Sequence, residues 1–317
     1  MATDTIKQPV DYYLSAIYLV APAVDSLDLM PYLVELSYFE DIYNSSISGN
    51  IVLSDAVGVL NFASLNGNEY IKLIFKKEED AKQEVNRTFR LYSVTKRKID
   101  ESNDYEAYNL EFCSDEFILS EQHRICKAFK SEKISKIIER ILIDYLKLDD
   151  PSRKKKLFID ETSGVYDFVL PNKKIFETIH WLTSYALPGT NDPGADMLFF
   201  ENSFGYYLKS LQSLYKQDAQ LTAIFNPKNI KLKNLKNSER DYFNVSKIDF
   251  LDYFDTMSGI HHGTYSNRVI TFDPVTRDKD VTDFNYNDYF KTSKHLNDFK
   301  VTNNYKNRFK KTNYEVP

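Results

Sequence analysis

Between residues 33 and 112 the chain repeats one device: a short run with apolar residues at every second position, then a polar turn. In 33–39, Val34, Leu36 and Tyr38 alternate with Glu35 and Ser37, the period of a strand with one wet face. Asn44, Ser45 and Ser46 supply a turn, and 49–53 begins the return strand. A short apolar segment at 57–62 reads as one or two helical turns. Asn66-Gly67 marks another turn, after which 70–75 sets Ile71, Leu73 and Phe75 on one face. Runs at 88–95 and 105–112 follow polar loops at 76–80 and 100–104. Strand, polar turn and strand in that order predict a compact antiparallel β domain.

From residue 133 the period changes. Ile134, Ile137, Ile138, Ile141, Leu142, Tyr145 and Leu146 recur at three and four residues, the stripe of an amphipathic helix, with Ser131 as its expected N-cap and Pro151 beyond its end. A second helix is expected over 173–186 behind Asn172, burying Ile175, Phe176, Ile179 and Leu182 and stopped by Pro188-Gly189. A hairpin follows, 197–201 and 205–208 around Asn202-Ser203. The last third is less regular, with strands expected at 243–250 and 269–272 and a short helix at 251–257. The fold class is therefore α+β and β-rich. Its expected domains are 1–114 (antiparallel β barrel or sandwich), 115–215 (α/β) and 216–317 (a second β-rich region ending in a basic tail).

Length and charge narrow the function. With 317 residues, about two domains with real cores are affordable in chain length. No apolar run approaches the roughly 18 residues a membrane helix needs, and the opening residues lack the pattern of a secretory leader. A soluble protein made in a cytoplasm is expected. Lys and Arg number 41 against 46 Asp and Glu, a formal charge of −5, which is the wrong sign for a domain that grips phosphates. Cys113 and Cys126 stand alone, which argues against a disulfide scaffold or cysteine metal site. Twenty-three Tyr and 22 Phe beside only 9 Gly suit sheet faces and protein interfaces better than phosphate-cradling loops.

A search for chemistry returns structural readings. Glu177 and His180 form one E-x-x-H pair where a carboxylate-bridged metal bundle needs two and further acidic helices; a helix residue packed beside Trp181 is expected instead. His261-His262 lacks a third ligand at a recognisable spacing. Gly189 and Gly194 mimic the start of a phosphate loop, but Ala195-Asp196 stands where Lys and Ser/Thr belong. Glu40-Asp41 and Asp149-Asp150 read as solvated turn acids. The basic runs Lys96-Arg97-Lys98 and Arg153-Lys154-Lys155-Lys156 read as solvated loops. The tail from Lys291 is basic and reads as a tether or a loose end. No catalytic residue, cofactor or metal ligand is expected.

Several segments in succession resemble the baseplate hub proteins of contractile-tailed bacteriophages: LSYFEDIYNSSISGNIVLSDAVGVLNF (36–62), NGNEYIKLIFKK, FRLYSVTKRK, YNLEFCSDEFI (108–118), SEKISKIIERIL, FETIHWLTSYA, DMLFFENSFGYYLKSLQSLYKQ and MSGIHHGTYSNRVITFD (257–273). They span about residues 12 to 290. The resemblance implies a trimeric ring in which each subunit gives two tube-type β domains. It implies as partners a tail tube or tube-initiator protein, a central spike and other baseplate proteins, with DNA passing through unbound and no stable membrane insertion. Residues 12–114 match the first tube domain and 115–215 the inserted α/β domain. The chain departs from the pattern by ending at Pro317, before the strands that would complete the second tube domain, so that domain is reduced or completed by another polypeptide. The protein would reside in the virion baseplate after assembly in the host cytoplasm. Phe39, Glu40, Asp41, Ile42 and Tyr43, at the end of the first long strand, are the expected interface residues. Two other readings stay open: a tail-borne cell-wall hydrolase, and a glycan-binding module using exposed Tyr and Trp181.

Overall fold

The computed structural model describes residues 13–21, 24–59, 65–76, 84–99, 106–153, 155–189, 196–218, 224–225, 244–245, 247–249 and 255–292. The chain divides into two compact units, one holding the described residues up to 211 and the other those from 212 on. The class is β-rich α+β.

Seven strands build the first sheet: β1 (Tyr13–Ala21), β2 (Val24–Asp28), β3 (Leu33–Phe39), β4 (Ser48–Asp55), β5 (Tyr70–Lys76), β6 (Glu84–Ile99) and β7 (Glu106–Cys113). Their order is β2-β1-β5-β6-β7-β4-β3, with antiparallel pairing throughout. The sheet curls into a half-barrel, leaving β2 and β3 at its two edges. Alternation explains β4: Gly49, Ile51, Leu53 and Asp55 point inward while Val52 and Ser54 do not. Gly49 is needed for space, because a Cβ there would sit 2.3 Å from the Phe112 ring and 2.4 Å from the Ser37 carbonyl oxygen. The core of this sheet gathers Ile17, Leu19, Ile51, Leu53, Ile71, Leu73, Phe89, Leu91, Leu110 and Phe112. Tyr38 closes it edge-on to Phe75 and Phe89, at 5.4 and 5.9 Å between ring centres. The register shifts between Leu33 and Glu35. That irregularity leaves Val34 exposed, although simple alternation pairs it with Leu36 and Tyr38.

After β7 the chain builds a second core. Helix α1 (Asp115–Gln122) leads to β8 (Ala128–Glu132), α2 (Ile134–Leu146), β9 (Lys156–Ile159), β10 (Tyr166–Val169), α3 (Ile175–Thr183), β11 (Met197–Asn202) and β12 (Gly205–Ser210). Strand β9 runs parallel to β12, and β11 pairs antiparallel with it. Ile134, Ile137, Ile138, Ile141, Leu142 and Leu146 of α2 pack with Ile175, Phe176, Ile179 and Leu182 of α3 and with Phe199, Tyr206 and Leu208.

Both helices start later than the sequence suggests. Ser131 and Asn172 have φ near +50°, so each turns the chain before its helix instead of capping it. Ser131 gives its backbone N–H to Asp167, and the N-cap positions fall to Lys133 and Lys174. The second helix also ends at Thr183, short of residue 186, with the Thr183 hydroxyl turned back onto the His180 carbonyl.

In the second unit, β13 (Ser266–Phe272) and β14 (Lys279–Asn285) form an antiparallel ribbon between α4 (Thr256–His261) and α5 (Tyr286–Thr292). The expected strand over 243–250 is reduced to Asn244–Val245 among its described residues. The expected helix at 251–257 falls partly outside the described residues, and the observed one runs through 256–261. His261 ends that helix and His262 is its C-cap. The expected turn of helix at 57–62 and the basic tail lie largely outside the described residues.

Candidate functional site: a buried ion cluster joining two cores

The chain between β7 and α1 passes directly from the first core to the second, and polar groups knit the two together on either side of it. At the centre stands Glu201 on β11, with none of its side chain exposed. One of its oxygens, Oε2, accepts from the Ser114 hydroxyl at 2.6 Å and from the Ile47 backbone N–H at 3.0 Å. The other, Oε1, takes the Lys155 ammonium at 2.6 Å. Lys155, only 9% exposed in its side chain, also binds Glu116 of α1, itself 2% exposed. Arg153 reaches the far oxygen of Glu116 at 2.9 Å. The Tyr206 ring lies 5.4 Å from the ammonium.

Burial alone would raise both carboxyls, but for Glu116 the neighbouring Lys155 and Arg153 reverse that and hold it low. Glu201 remains pushed up, because its burial and the Glu116 charge outweigh Lys155. Burial pulls the Lys155 ammonium down, yet its two carboxylates outweigh this and raise it. Buried charges of this sort are costly unless paired and hydrogen-bonded, and these are both.

A cleft of about 440 Å³ opens beside the cluster, lined by Lys72, Arg87, Asp115, Glu116, Arg153 and Lys155 among others. On its far side the β11–β12 turn docks on the sheet. The Ser203 carbonyl accepts from Arg87 at 2.6 and 3.0 Å. The Ser203 backbone N–H donates to Glu40 at 2.9 Å, and its hydroxyl binds the same carboxylate. Tyr38 donates to Glu40 as well, at 2.9 Å.

The five expected interface residues therefore split. Glu40 is engaged with the second core, and Asp41 holds the turn by accepting from the Tyr43 backbone N–H and the Asn44 amide. Phe39, Ile42 and Tyr43 stand 56%, 37% and 64% exposed. His180 donates to or accepts from Ser45 at 2.7 Å, tying α3 to the β3–β4 turn. That pair has nucleophile–base spacing, but Ser45 is buried and burial lowers the His180 pKa. Glu177 serves the start of α3, accepting from the Lys174 backbone N–H. Among the described residues no three His, Cys, Asp or Glu side chains gather as a metal site requires. No helix of the described residues is long and apolar enough to cross a membrane.

One expectation is overturned here. Arg153 and Lys155, expected in a solvated basic loop, instead enter the ion cluster. The counter-charges that draw them in, Glu116 and Glu201, lie far off in sequence and belong to no motif. The only local hint is that Glu201 interrupts an apolar strand, MLFFE, where a carboxylate needs a partner.

Fold and site thus define an α+β protein whose two cores are fastened by buried charge. No protein-family model matches the chain, and no curated protein does. Solved structures to which the chain shows similarity include a tail protein from Neisseria meningitidis MC58, with 10% identity and a TM-score of 0.39 over 62% of this chain and 50% of that one. A 43 kDa tail protein of prophage MuSo2 from Shewanella oneidensis gives 9% and 0.43, over 68% and 60%. A Francisella PdpA–VgrG complex gives 12% and 0.41, over 68% and 35%. The chain spans about half the length of these proteins.

Proposed function

We propose that this protein is a structural subunit of a phage-type tail, a baseplate hub that joins tail tube to central spike in a trimeric ring and lines the channel for DNA. The observation that supports this reading most is that the sheet stays unclosed among the described residues. Strands β2 and β3 are its edges, and beside β3 lie the exposed Val34, Phe39, Ile42 and Tyr43. An open edge with apolar neighbours invites another chain, and a cyclic assembly satisfies such edges while stopping growth. The ribbon of the second unit points the same way. Ile270 and Val281 are paired across it, with Phe272 on the same face, all well exposed, and a lone two-stranded ribbon is marginal in water.

A net charge of −5 suits a channel wall that lets DNA slide. The role is non-enzymatic, with tube, spike and other baseplate proteins as partners and the virion as its location. Negative-stain microscopy and mass photometry of the purified protein test it. Rings of three copies are expected; monomers at every concentration, together with absence from purified tail tips, overturn it.

A further inference from the structure

The ion cluster is more than a set of paired charges, because its parts are arranged as acyl-transfer chemistry requires. A carboxyl carbon, Cδ of Glu201, has one oxygen fixed by two donors, the Ile47 N–H and the Ser114 hydroxyl. That is the donor pair that stabilises an oxyanion. A primary amine, Lys155 Nζ, contacts the other oxygen at 2.6 Å, leaving Cδ one covalent bond further on. A second carboxylate, Glu116, touches the same amine and is kept ionised by Lys155 and by Arg153 at 2.9 Å, placed to take up a proton that the nitrogen sheds once it is bonded to carbon. All three groups are removed from solvent, and an aromatic ring borders the amine.

We propose that Lys155 and Glu201 form an intramolecular isopeptide bond, with Glu116 as the proton relay. Nζ passes one proton to Oε1 of Glu201 across their hydrogen bond, and the free amine attacks Cδ of the neutral acid. The Nζ–Cδ bond forms, and negative charge collects on Oε2, held by Ile47 and Ser114. Glu116 takes a second proton from the nitrogen and hands it to Oε1. The Cδ–Oε1 bond breaks, water leaves, and Glu116 ends ionised as it began. The ammonium and carboxylate become a neutral amide and one water, so the step needs no oxidant and no co-reactant. The adjoining cleft, lined by both Glu116 and Lys155, gives the water its way out.

Two physical terms drive the reaction. Fixed contact between amine and carboxyl gives effective concentrations on the order of 10⁵–10⁸ M. Product formation also replaces two buried charges, whose desolvation is expensive, with an uncharged amide. The ammonium never releases a proton to bulk water, because Glu201, the carboxyl that burial and the Glu116 charge push up, receives it across an existing hydrogen bond.

The test is the intact mass of the purified full-length protein under denaturing conditions, with fragment mapping after proteolysis. The expected mass is that of the sequence less one water, with a branched peptide joining residues 155 and 201. Glu116→Gln keeps the size of the side chain and removes the relay; it is expected to show the full sequence mass with an unchanged far-UV circular dichroism spectrum. Wild-type protein at full sequence mass overturns the proposal. So does a missing water that maps to any other pair, or a Glu116→Gln variant that is cross-linked like the wild type. The outcome is independent of whether the protein forms rings.

Discussion

Replacing Phe39 and Tyr43 together by serine tests the assembly reading at the place where the sheet edge meets its exposed turn. An aromatic side chain offers about 150–250 Å², and these two are 56% and 64% exposed. Each therefore leaves roughly 100 Å² to be covered by a neighbour, worth together about 5 kcal/mol at ~25 cal/mol per Å². Interfaces realise only part of such area, because side-chain ordering and imperfect fit oppose it. A loss of about 2–3 kcal/mol is expected, weakening association roughly 30- to 150-fold. Neither ring belongs to the core of the sheet, so the urea midpoint should stay within about 0.5 kcal/mol of wild type. Sedimentation velocity over a concentration series reads the association, and a urea titration reads the fold. Coincident association curves for variant and wild type would refute the reasoning, as would a wild type that never leaves the monomer.

Three further outcomes follow from other parts of the first unit. Gly205→Ala should destabilise by about 3 kcal/mol or more in urea unfolding. Its Cβ would lie 2.0 Å from the Lys156 carbonyl oxygen at a φ of +151°, and a loss below ~1 kcal/mol would contradict the tight β9–β12 pairing. Burial pushes the Cys113 thiol up to about 12 while Cys126 is exposed. A thiol reagent at pH 8 should label one cysteine in the native protein and two in denaturant; two in both would show the sheet to be open there. Burial also depresses the His180 pKa below its ordinary 6.5, so protonation favours the unfolded chain. Its contribution to stability is complete above pH 6.5 and is lost as pH falls from there through the lower native value. Wild type should therefore lose stability between about pH 7 and 5 relative to His180→Asn, and parallel pH profiles would exclude it.

What could be read from the sequence followed from periodicity. Strands β4, β5 and β7 and helices α2 and α3 show their buried faces as clean repeats, and the structure buries those same residues apart from Phe75 and Tyr145, which are half-buried against the two cores. The misses have a common cause in residues whose partners are distant. Strand β1, YLSAIYLVA, breaks its alternation at a bulge between Leu14 and Ala16, so it shows no period-two signal, and β14 is polar enough to resemble a loop. Ser131 and Asn172 have the composition of caps, yet both take left-handed backbone angles. The ion cluster was illegible for the same reason. Lys155 looks like one member of a solvated run until Glu116 and Glu201 approach it from elements 39 and 46 residues away.

The order of these elements along the chain sets a schedule for synthesis. All seven strands of the first sheet are present once Cys113 has emerged, but the Ile47 N–H and the Ser114 hydroxyl are satisfied by Glu201, about ninety residues later. At roughly 5–20 residues per second that gap lasts on the order of 4–18 s. For that interval a nascent sheet waits with an unanswered donor pair beside a bare edge, the period in which a chaperone or a neighbouring nascent chain has most access to it.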